Sequence, residues 1–347
     1  MHFPVGAAEG CESVSLTRRL RSLRQRLQGS LNRLDVFKMK PIALLLATLL
    51  GLASAHAALA ADPQTLRVGY QKGSIALVIA KEQGLLEKRF ASTQVQWIEF
   101  PAGPQMLEAL NVGALDVGST GDIPPLFAQA AGADLVYIGA EPAKPAAETI
   151  LVRKDSPLQS VADLKGKKVA FQKGSSSNNV LLRALNKAGL SFKDIQPIYL
   201  TPADARAAFE QGGVDAWAIW DPYASLALLE GNSRLLADGT GLGLSGPIYS
   251  ARRDYAKENP AFVHALLDEL TAAEAQTRSQ RQQSIDILIR SMGLPETVIE
   301  RYLDNRPPSP ILPVDANIIA AQQATADLFY QNKLLPKPIK VEDAIWK

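Results

Sequence analysis

The sequence predicts an α/β protein of two similar lobes, with mainly parallel sheets flanked by helices and a hinge that joins the lobes. Two observations lead to this fold class. Short apolar runs alternate with helical patterns along the chain, which is typical of parallel βα units. The chain of 347 residues also repeats part of itself about a hundred residues later. A repeat with so long a period indicates two related lobes rather than a solenoid.

The repeat consists of two matched segments in each lobe, in the same order and at nearly the same spacing. Gln71-Lys72-Gly73-Ser74 is matched by Gln172-Lys173-Gly174-Ser175, and residues 109–116 align with residues 208–215. Each copy of the first segment follows an apolar run and precedes a helical pattern. This predicts a polar loop between a strand and a helix N-terminus, where free N–H groups and the helix dipole favour an anion.

Aspartates end the second matched segment and recur six residues later in both lobes. Asp116 and Asp215 follow glycine-containing turns at strand starts, so a structural role is predicted for them rather than an acid–base pair. Asp122 and Asp221 stand at the start of helical patterns. Each is predicted either to cap its helix or to face the cleft between the lobes.

The first lobe is predicted to begin at residue 61 and to run to residue 145. Its strands are predicted at residues 66–70, 95–100, 115–118 and 135–140, and its helices at residues 75–83, at residues 105–111 and from Pro124 onwards. Gly84 is expected to end the first helix. The Pro/Ala-rich segment 141–148 is predicted to be a passage between the lobes.

The second lobe is predicted over residues 146–247, and the rest of the chain returns to the first lobe. Second-lobe strands are predicted at residues 149–152, 167–171, 196–200, 216–220 and 234–236. In the return, residues 248–347, helical patterns occupy residues 260–278, 282–292, 295–303 and 314–332. The hinge is predicted where the chain crosses, near residues 141–148 and 246–250.

The N-terminal sixty residues differ from the rest of the chain. Residues 39–60 combine a basic start, an apolar run and the small-residue site Ala58-Leu59-Ala60, which predicts a signal peptide cleaved after Ala60. Residues 1–38 are interpreted as a non-native upstream extension. The alternative is a basic amphipathic arm that binds a membrane surface.

Removal of residues 1–60 changes what the composition implies. That segment holds eight Lys/Arg and three Asp/Glu, so 29 basic and 32 acidic residues remain, a net charge of −3. The remainder gives no indication of nucleic-acid binding. It contains no cysteine, and His264 is its one histidine, predicted on a helix surface. No catalytic residue, metal site or cofactor is predicted, and a Ser-His-Asp hydrolase is disfavoured.

One glycine motif in the chain mimics a nucleotide site. Residues 241–246 fit the dinucleotide pattern G-x-G-x-x-G, but that pattern requires a strand before it and a helix after it. Pro247 and the residues after it favour extended chain instead. The segment is therefore predicted to be a flexible loop between the lobes.

Five segments together resemble a known family. They are residues 70–74, 101–108, 118–125, 171–177 and 220–223. In this order they are similar to the aliphatic-sulfonate-binding proteins of bacterial ABC importers, which are type II periplasmic solute-binding proteins. The resemblance covers residues 66–346. It implies a monomer that captures a sulfonate in the periplasm and delivers it to a permease with its ATPase, for sulfur acquisition.

The predicted binding residues belong to the polar loops and their flanks. The proposed head-group donors are Gln71, Ser119, Thr120, Gly121, Ser175, Ser176, Ser177 and Asn178. Their alternative role is in helix caps and turns; Ser177 or Asn178 in particular could cap the second-lobe helix. The second copy of the repeat is expected to grip the head group, and Gln71 of the first copy to close over it.

The remaining predicted contacts concern the rest of the ligand. Trp220, Tyr223 and Pro142 are candidates for an apolar wall against the alkyl tail. Asp122 and Asp221 would repel sulfonate oxygens but could accept a hydrogen bond from an amine. Open alternatives are a binding protein of the same fold for taurine, nitrate or a pyrimidine precursor of thiamine, an enzyme on this fold, and a structural envelope protein.

Overall fold

The computed structural model describes residues 62–347, so the predicted extension and signal peptide lie outside the described residues. The strands are β1 (Thr65–Tyr70), β2 (Gln94–Glu99), β3 (Val117–Thr120), β4 (Leu135–Ala140), β5 (Glu148–Arg153), β6 (Lys168–Phe171), β7 (Gln196–Tyr199), β8 (Ala216–Trp220), β9 (Ser233–Asp238) and β10 (Ile248–Arg252). The α-helices are α1 (Ile75–Gln83), α2 (Leu85–Arg89), α3 (Gly103–Asn111), α4 (Ile123–Ala131), α5 (Ser176–Lys187), α6 (Pro202–Glu210), α7 (Tyr223–Leu229), α8 (Arg253–Glu258), α9 (Pro260–Ser279), α10 (Arg281–Met292), α11 (Glu296–Asp304) and α12 (Ala316–Gln331).

The strands form two five-stranded sheets with the same topology. The first has the order β2-β1-β3-β10-β4 and the second β7-β6-β8-β5-β9. Four strands of each sheet run in one direction, while β10 and β5 run antiparallel to both of their neighbours. The reversed strands are those that the chain enters directly after crossing between the lobes. The predicted α/β class with mainly parallel strands is confirmed, and one reversed strand makes each sheet mixed.

The C-terminal helices complete the core of the first lobe. Helix α1 is buried from Ile75 to Ala80, because α9 and α10 pack against it and contribute Leu266 and Leu288 to the same apolar cluster. Phe329 of α12 joins a second cluster with residues of α3 and α4. The C-terminal helices thus share the apolar clusters of β1, α1, α3 and α4. Within residues 62–347, no helix is long and apolar enough to span a bilayer.

The first pair of matched aspartates has the predicted structural role. Asp116 Oδ2 accepts a hydrogen bond from the backbone N–H of Arg67 at 2.8 Å, and Asp215 Oδ2 accepts one from that of Lys168, also at 2.8 Å. Each aspartate directly precedes the central strand of its sheet, β3 or β8, and ties it to the neighbouring strand, β1 or β6. The equivalence predicted from the repeat is confirmed at the level of single atoms.

The two crossing segments, residues 141–147 and 239–247, lie side by side. The backbone N–H of Glu141 donates to Pro247 O at 2.9 Å, and that of Gly239 donates to Pro145 O at 3.0 Å. A Cβ atom at Gly246 would lie 1.8 Å from Glu141 O, so only glycine fits there. The G-x-G-x-x-G segment continues as extended chain into β10, which excludes a dinucleotide fingerprint.

Two local boundaries differ from the prediction. Strand β3 runs to Thr120, beyond the predicted end at residue 118, so Ser119 and Thr120 belong to a strand. Helix α5 begins at Ser176 with Ser175 at its N-cap position. Ser177 and Asn178 therefore lie inside the first helical turn and are not caps. His264, the one histidine within residues 62–347, is exposed on α9 as predicted, with its ring 4.5 Å from that of Trp346.

Candidate functional site

A cavity of about 80 Å³ lies between the two lobes, where the strands of both sheets end. Its size suits a small molecule rather than a macromolecule. The predicted site residues that line it are Gln71, Ser119, Thr120, Gly121, Ser175, Ser176, Trp220 and Asp221. Both copies of the repeat contribute, since Gly73 and Ser74 of the first copy also line it. The repeat thus marks the two facing walls of one cavity.

The second-lobe wall is the N-terminus of α5. Its first N–H groups have no acceptor within the helix and the helix dipole adds positive potential, so this wall can hold an anion. Ser175 and Ser176 line the cavity. Ser177 is buried, with its Oγ 2.8 Å from Ser175 Oγ, and Asn178 Oδ1 accepts from Gly174 N–H at 3.1 Å. Ser177 and Asn178 are thus engaged within the protein and do not line the cavity.

The first-lobe wall is the turn between β3 and α4. Gly121 lies against Ser176 of the opposite lobe, because a Cβ at Gly121 would be 2.9 Å from Ser176 Cβ. The lobes are therefore in contact across the cavity, and glycine permits that approach. Gln71 Nε2 donates to Ser119 O at 3.3 Å, which positions the amide above this turn.

Asp122 and Asp221 both accept hydrogen bonds from asparagines of the opposite lobe. Asn179 Nδ2 donates to Asp122 Oδ2 at 2.6 Å, and Asn305 Nδ2 donates to Asp221 Oδ2 at 2.8 Å. Asp122 does not line the cavity, because its carboxylate is directed to Asn179. Asp221 does line it, and its Oδ1 also accepts from Ser225 N–H at 2.8 Å, as expected of a capping residue.

Burial shifts the pKa of both carboxyls. Burial raises the pKa of Asp122 to about 7, against the hydrogen bond from Asn179. Burial also raises the pKa of Asp221, against the hydrogen bonds from Asn305 and Ser225. Burial therefore disfavours the charged form of both carboxyls, and Asp122 is about half protonated near pH 7.

A charged cluster lines the cavity at the crossing segments. Glu141 forms ion pairs with Lys144 and with Arg306, whose Nη2 lies 3.3 Å from Glu141 Oε2, and it accepts a hydrogen bond from Tyr249 OH at 2.9 Å. Burial acts to raise the pKa of Glu141, but Lys144 and Arg306 lower it overall. Burial lowers the pKa of Lys144 to about 8, so this amine is still mostly charged at pH 7. The cluster brings two cations and one anion to the cavity.

Further lining residues carry polar atoms without a protein partner. Glu148 Oε2 and Ser245 Oγ are both buried and have no hydrogen-bond partner in the described part of the chain. Burial raises the pKa of Glu148 to about 8. Lys144, Glu148 and Ser245 lie in or beside the crossing segments, and Arg306 follows a C-terminal helix. No local motif marks these four residues. The first three lie near a predicted hinge, which was their only signal, and Arg306 had none.

Trp220 is the largest apolar side chain of the lining, which also includes Pro124, Ala147, Pro247 and Tyr302. Trp220 ends β8 and lines the cavity, and its ring packs edge to face on Tyr223 with 6.3 Å between centroids. Tyr223 and Pro142 are not among the lining residues. Tyr223 therefore supports the tryptophan from behind instead of forming part of the wall.

Comparisons with known proteins agree with this arrangement. A family model described as NMT1/THI5 like matches residues 72–282. The putative aliphatic sulfonates-binding protein of Escherichia coli (strain K12) is 62% identical over 306 residues, which cover 88% of this chain and 96% of that protein.

Two solved structures are similar in both sequence and fold. The periplasmic aliphatic sulphonate binding protein SsuA from Escherichia coli is 64% identical, with a TM-score of 0.77, over 82% of this chain and 93% of its own. The alkanesulfonate-binding protein SsuA from Xanthomonas axonopodis pv. citri, bound to MOPS, is 56% identical, with a TM-score of 0.82, over 83% of this chain and 99% of its own. The chain therefore belongs to the NMT1/THI5-like family and, within it, to the aliphatic-sulfonate-binding proteins.

Proposed function

We propose that this protein is a periplasmic solute-binding protein that captures aliphatic sulfonates and delivers them to an ABC transporter for sulfur acquisition. The observation that carries the proposal is one small cavity lined by neutral hydrogen-bond donors from both lobes, with a helix N-terminus at one wall. The relatives named above support it, since their names describe binding of aliphatic sulfonates and a periplasmic location.

The donors of the cavity suit a sulfonate head group. A sulfonate is a permanent monoanion with three acceptor oxygens, so hydroxyl, amide and N–H donors can hold it. Each hydrogen bond to a charged group contributes about 1.5–3 kcal/mol. A few of them reach the roughly −8 kcal/mol of micromolar binding. The proposed donors are Gln71, Ser119, Thr120, Gly121, Ser175 and Ser176, to which the cavity lining adds Ser245. The hydroxyls of Ser175 and Thr120 donate to Gln172 O at 2.7 Å and to Gly121 O at 3.0 Å, so each would have to exchange that bond for one to the ligand.

The charged cluster supplies long-range attraction without a direct ion pair. Lys144 and Arg306 are both engaged by Glu141, so their charge is partly compensated. A lysine or arginine side chain without such a partner would pair directly with the ligand, which would strengthen binding but slow release to the permease. Trp220 forms the apolar surface against which the alkyl part of the ligand packs.

Capture is proposed to proceed by closure of the lobes on the ligand. In the open form the anion binds one wall first, and rotation about the crossing segments brings the other wall onto it. The closed protein is then presented to a membrane permease as a monomer. Mass spectrometry of the secreted chain tests cleavage after Ala60, because an intact N-terminus would contradict a cleaved signal peptide.

Calorimetric titration tests the ligand class directly. The protein is expected to bind methanesulfonate and longer alkanesulfonates at micromolar concentrations and to bind sulfate and nitrate much more weakly. Taurine belongs in the same series, because Asp221 lines the cavity and could accept a hydrogen bond from its amine. Binding of nitrate alone, or of no sulfonate, would contradict the proposal.

A further inference from the structure

Glu148 is a carboxyl placed in the cavity by the main chain. It is the first residue of β5, and its backbone is in register with that of Trp220 on β8. Its Oε2 atom is buried without a hydrogen-bond partner within residues 62–347. Glu148 thus lines the cavity with an oxygen that can still form a hydrogen bond, for example to a ligand.

The surroundings of Glu148 disfavour its negative charge. Asp122 at the start of α4 and Asp221 after β8 are acidic neighbours that raise its pKa, in addition to burial. Ser176 at the start of α5 and Lys144 of the crossing segment act in the opposite direction. Lys144 is already paired with Glu141, as Arg306 is, so neither cation is free for Glu148.

A bound anion would further destabilise the ionised form of Glu148. An ionised Glu148 would repel the oxygens of a sulfonate in a cavity of about 80 Å³. A protonated carboxyl instead has an O–H group and can donate a hydrogen bond to a sulfonate oxygen. The same side chain is thus unfavourable in one protonation state and a ligand contact in the other.

We propose that Glu148 binds the sulfonate in its protonated form, donating its O–H to the head group, and that it sets the alkaline limit of capture. This inference rests on the proposed function. Since burial raises the pKa of the free carboxyl to about 8, binding takes up a proton at higher pH. Above pH 8 the dissociation constant is expected to rise about tenfold per pH unit, and below pH 7 it is expected to be constant.

The test is calorimetric titration with methanesulfonate from pH 6 to pH 9.5. The charge of methanesulfonate is constant over that range. Buffers of different ionisation enthalpy report the proton taken up. Glu148→Gln keeps an N–H donor and cannot titrate. At pH 6 the variant is expected to bind methanesulfonate more weakly than the unmodified protein does, and its own affinity is expected to be the same at pH 9.5 as at pH 6. Glu300→Gln, an exposed site on α11, is the matched control and should follow the unmodified protein.

The outcomes separate this inference from its rivals. If Glu148→Gln still loses affinity above pH 8, the titrating group is Lys144 and the inference is overturned. If the unmodified protein binds equally at pH 6 and pH 9.5, only this inference fails; if no sulfonate binds at any pH, the proposed function fails with it. Infrared difference spectra are a second readout, with a protonated carboxyl band gained on ligand addition at pH 8.5 and absent from Glu148→Gln.

Discussion

Asn179 on the second lobe donates a hydrogen bond to Asp122 on the first, with 2.6 Å between Nδ2 and Oδ2. The other repeat-related aspartate, Asp221 on the second lobe, accepts one from Asn305 of the first-lobe return at 2.8 Å. The two lobes are thus held together by a reciprocal pair of bonds, and each lobe supplies one acceptor and one donor.

Replacing Asn179 by alanine is expected to lower the free energy of unfolding by about 1–3 kcal/mol. The reason is that Asp122, which is buried, loses the donor on its Oδ2 atom. Urea denaturation measures the change. Asn186→Ala, an exposed site on the same helix, is the control and should change stability by less than about 0.5 kcal/mol. Equal effects of the two substitutions would contradict the pairing.

Loss of the partner bond at Asn305 is expected to act on closure as well. Asn305→Ala removes the donor to Asp221 and should weaken sulfonate binding by up to about 10- to 150-fold, since a hydrogen bond to a charged acceptor contributes roughly 1.5–3 kcal/mol to the closed form. Small-angle X-ray scattering would then show a larger radius of gyration without ligand. An unchanged affinity would show that this bond does not favour closure.

Ser176 is expected to be a direct donor to the ligand, unlike its neighbour Ser177. Ser176→Ala should reduce sulfonate affinity by about 10- to 150-fold, equivalent to 1.5–3 kcal/mol for one hydrogen bond to a charged group. Ser279→Ala, an exposed serine on α9, is the control for titration calorimetry. If Ser175, Ser176 and Ser177 were all replaced by alanine without effect, the serine hydroxyls of this helix N-terminus would not bind the ligand.

Stability is expected to fall as pH rises from about 4 to 7. Burial raises the pKa of Asp122 to about 7, so the folded protein keeps a proton that the unfolded chain releases above pH 4. The folded state therefore binds more protons in that window, and stability decreases by up to about 1.4 kcal/mol per pH unit for such a group. Asp122→Asn can still accept from Asn179 and removes this contribution, so its urea midpoint should vary less with pH; an identical slope would contradict the shift.

Gly246→Ala is expected to disrupt the packing of the two crossing segments. The added Cβ would lie 1.8 Å from Glu141 O, which is backbone and cannot rotate away. We expect a loss of at least about 1–3 kcal/mol in unfolding free energy, together with altered scattering from the ligand-bound protein. Gly213→Ala, where the Cβ would lie 3.2 Å from Ala208 O, provides the milder comparison. A wild-type midpoint for Gly246→Ala would contradict the close approach.

The repeat made much of the fold and half of the site predictable. Asp116 and Asp215 could be paired from their spacing alone, because equivalent turns need the same N–H acceptor in both lobes. The repeat could not tell that Ser176 lines the cavity whereas Ser177 and Asn178 do not. Successive helical residues point about 100° apart, so only one face of the first turn reaches the cavity.

The charged part of the site was not predictable from local pattern. Arg306 and Glu141 are 165 residues apart and meet only because the C-terminal helices pack back onto the first lobe. In the sequence Glu148 is the last residue of a Pro/Ala-rich segment without a motif, and the raised pKa of its carboxyl comes from burial in the folded chain. Long-range packing and desolvation leave no periodic signal in the sequence, so these groups became visible only in the folded chain.

The two crossing segments touch one another through Glu141 N–H and Pro247 O. We expect two connections so close together to act as a hinge about which the lobes rotate, with little shear or twist between them. Opening and closing can then be described by a single angle. Such a constraint keeps the two walls in register during the approach, so a ligand held by one wall meets the same atoms of the other on every cycle.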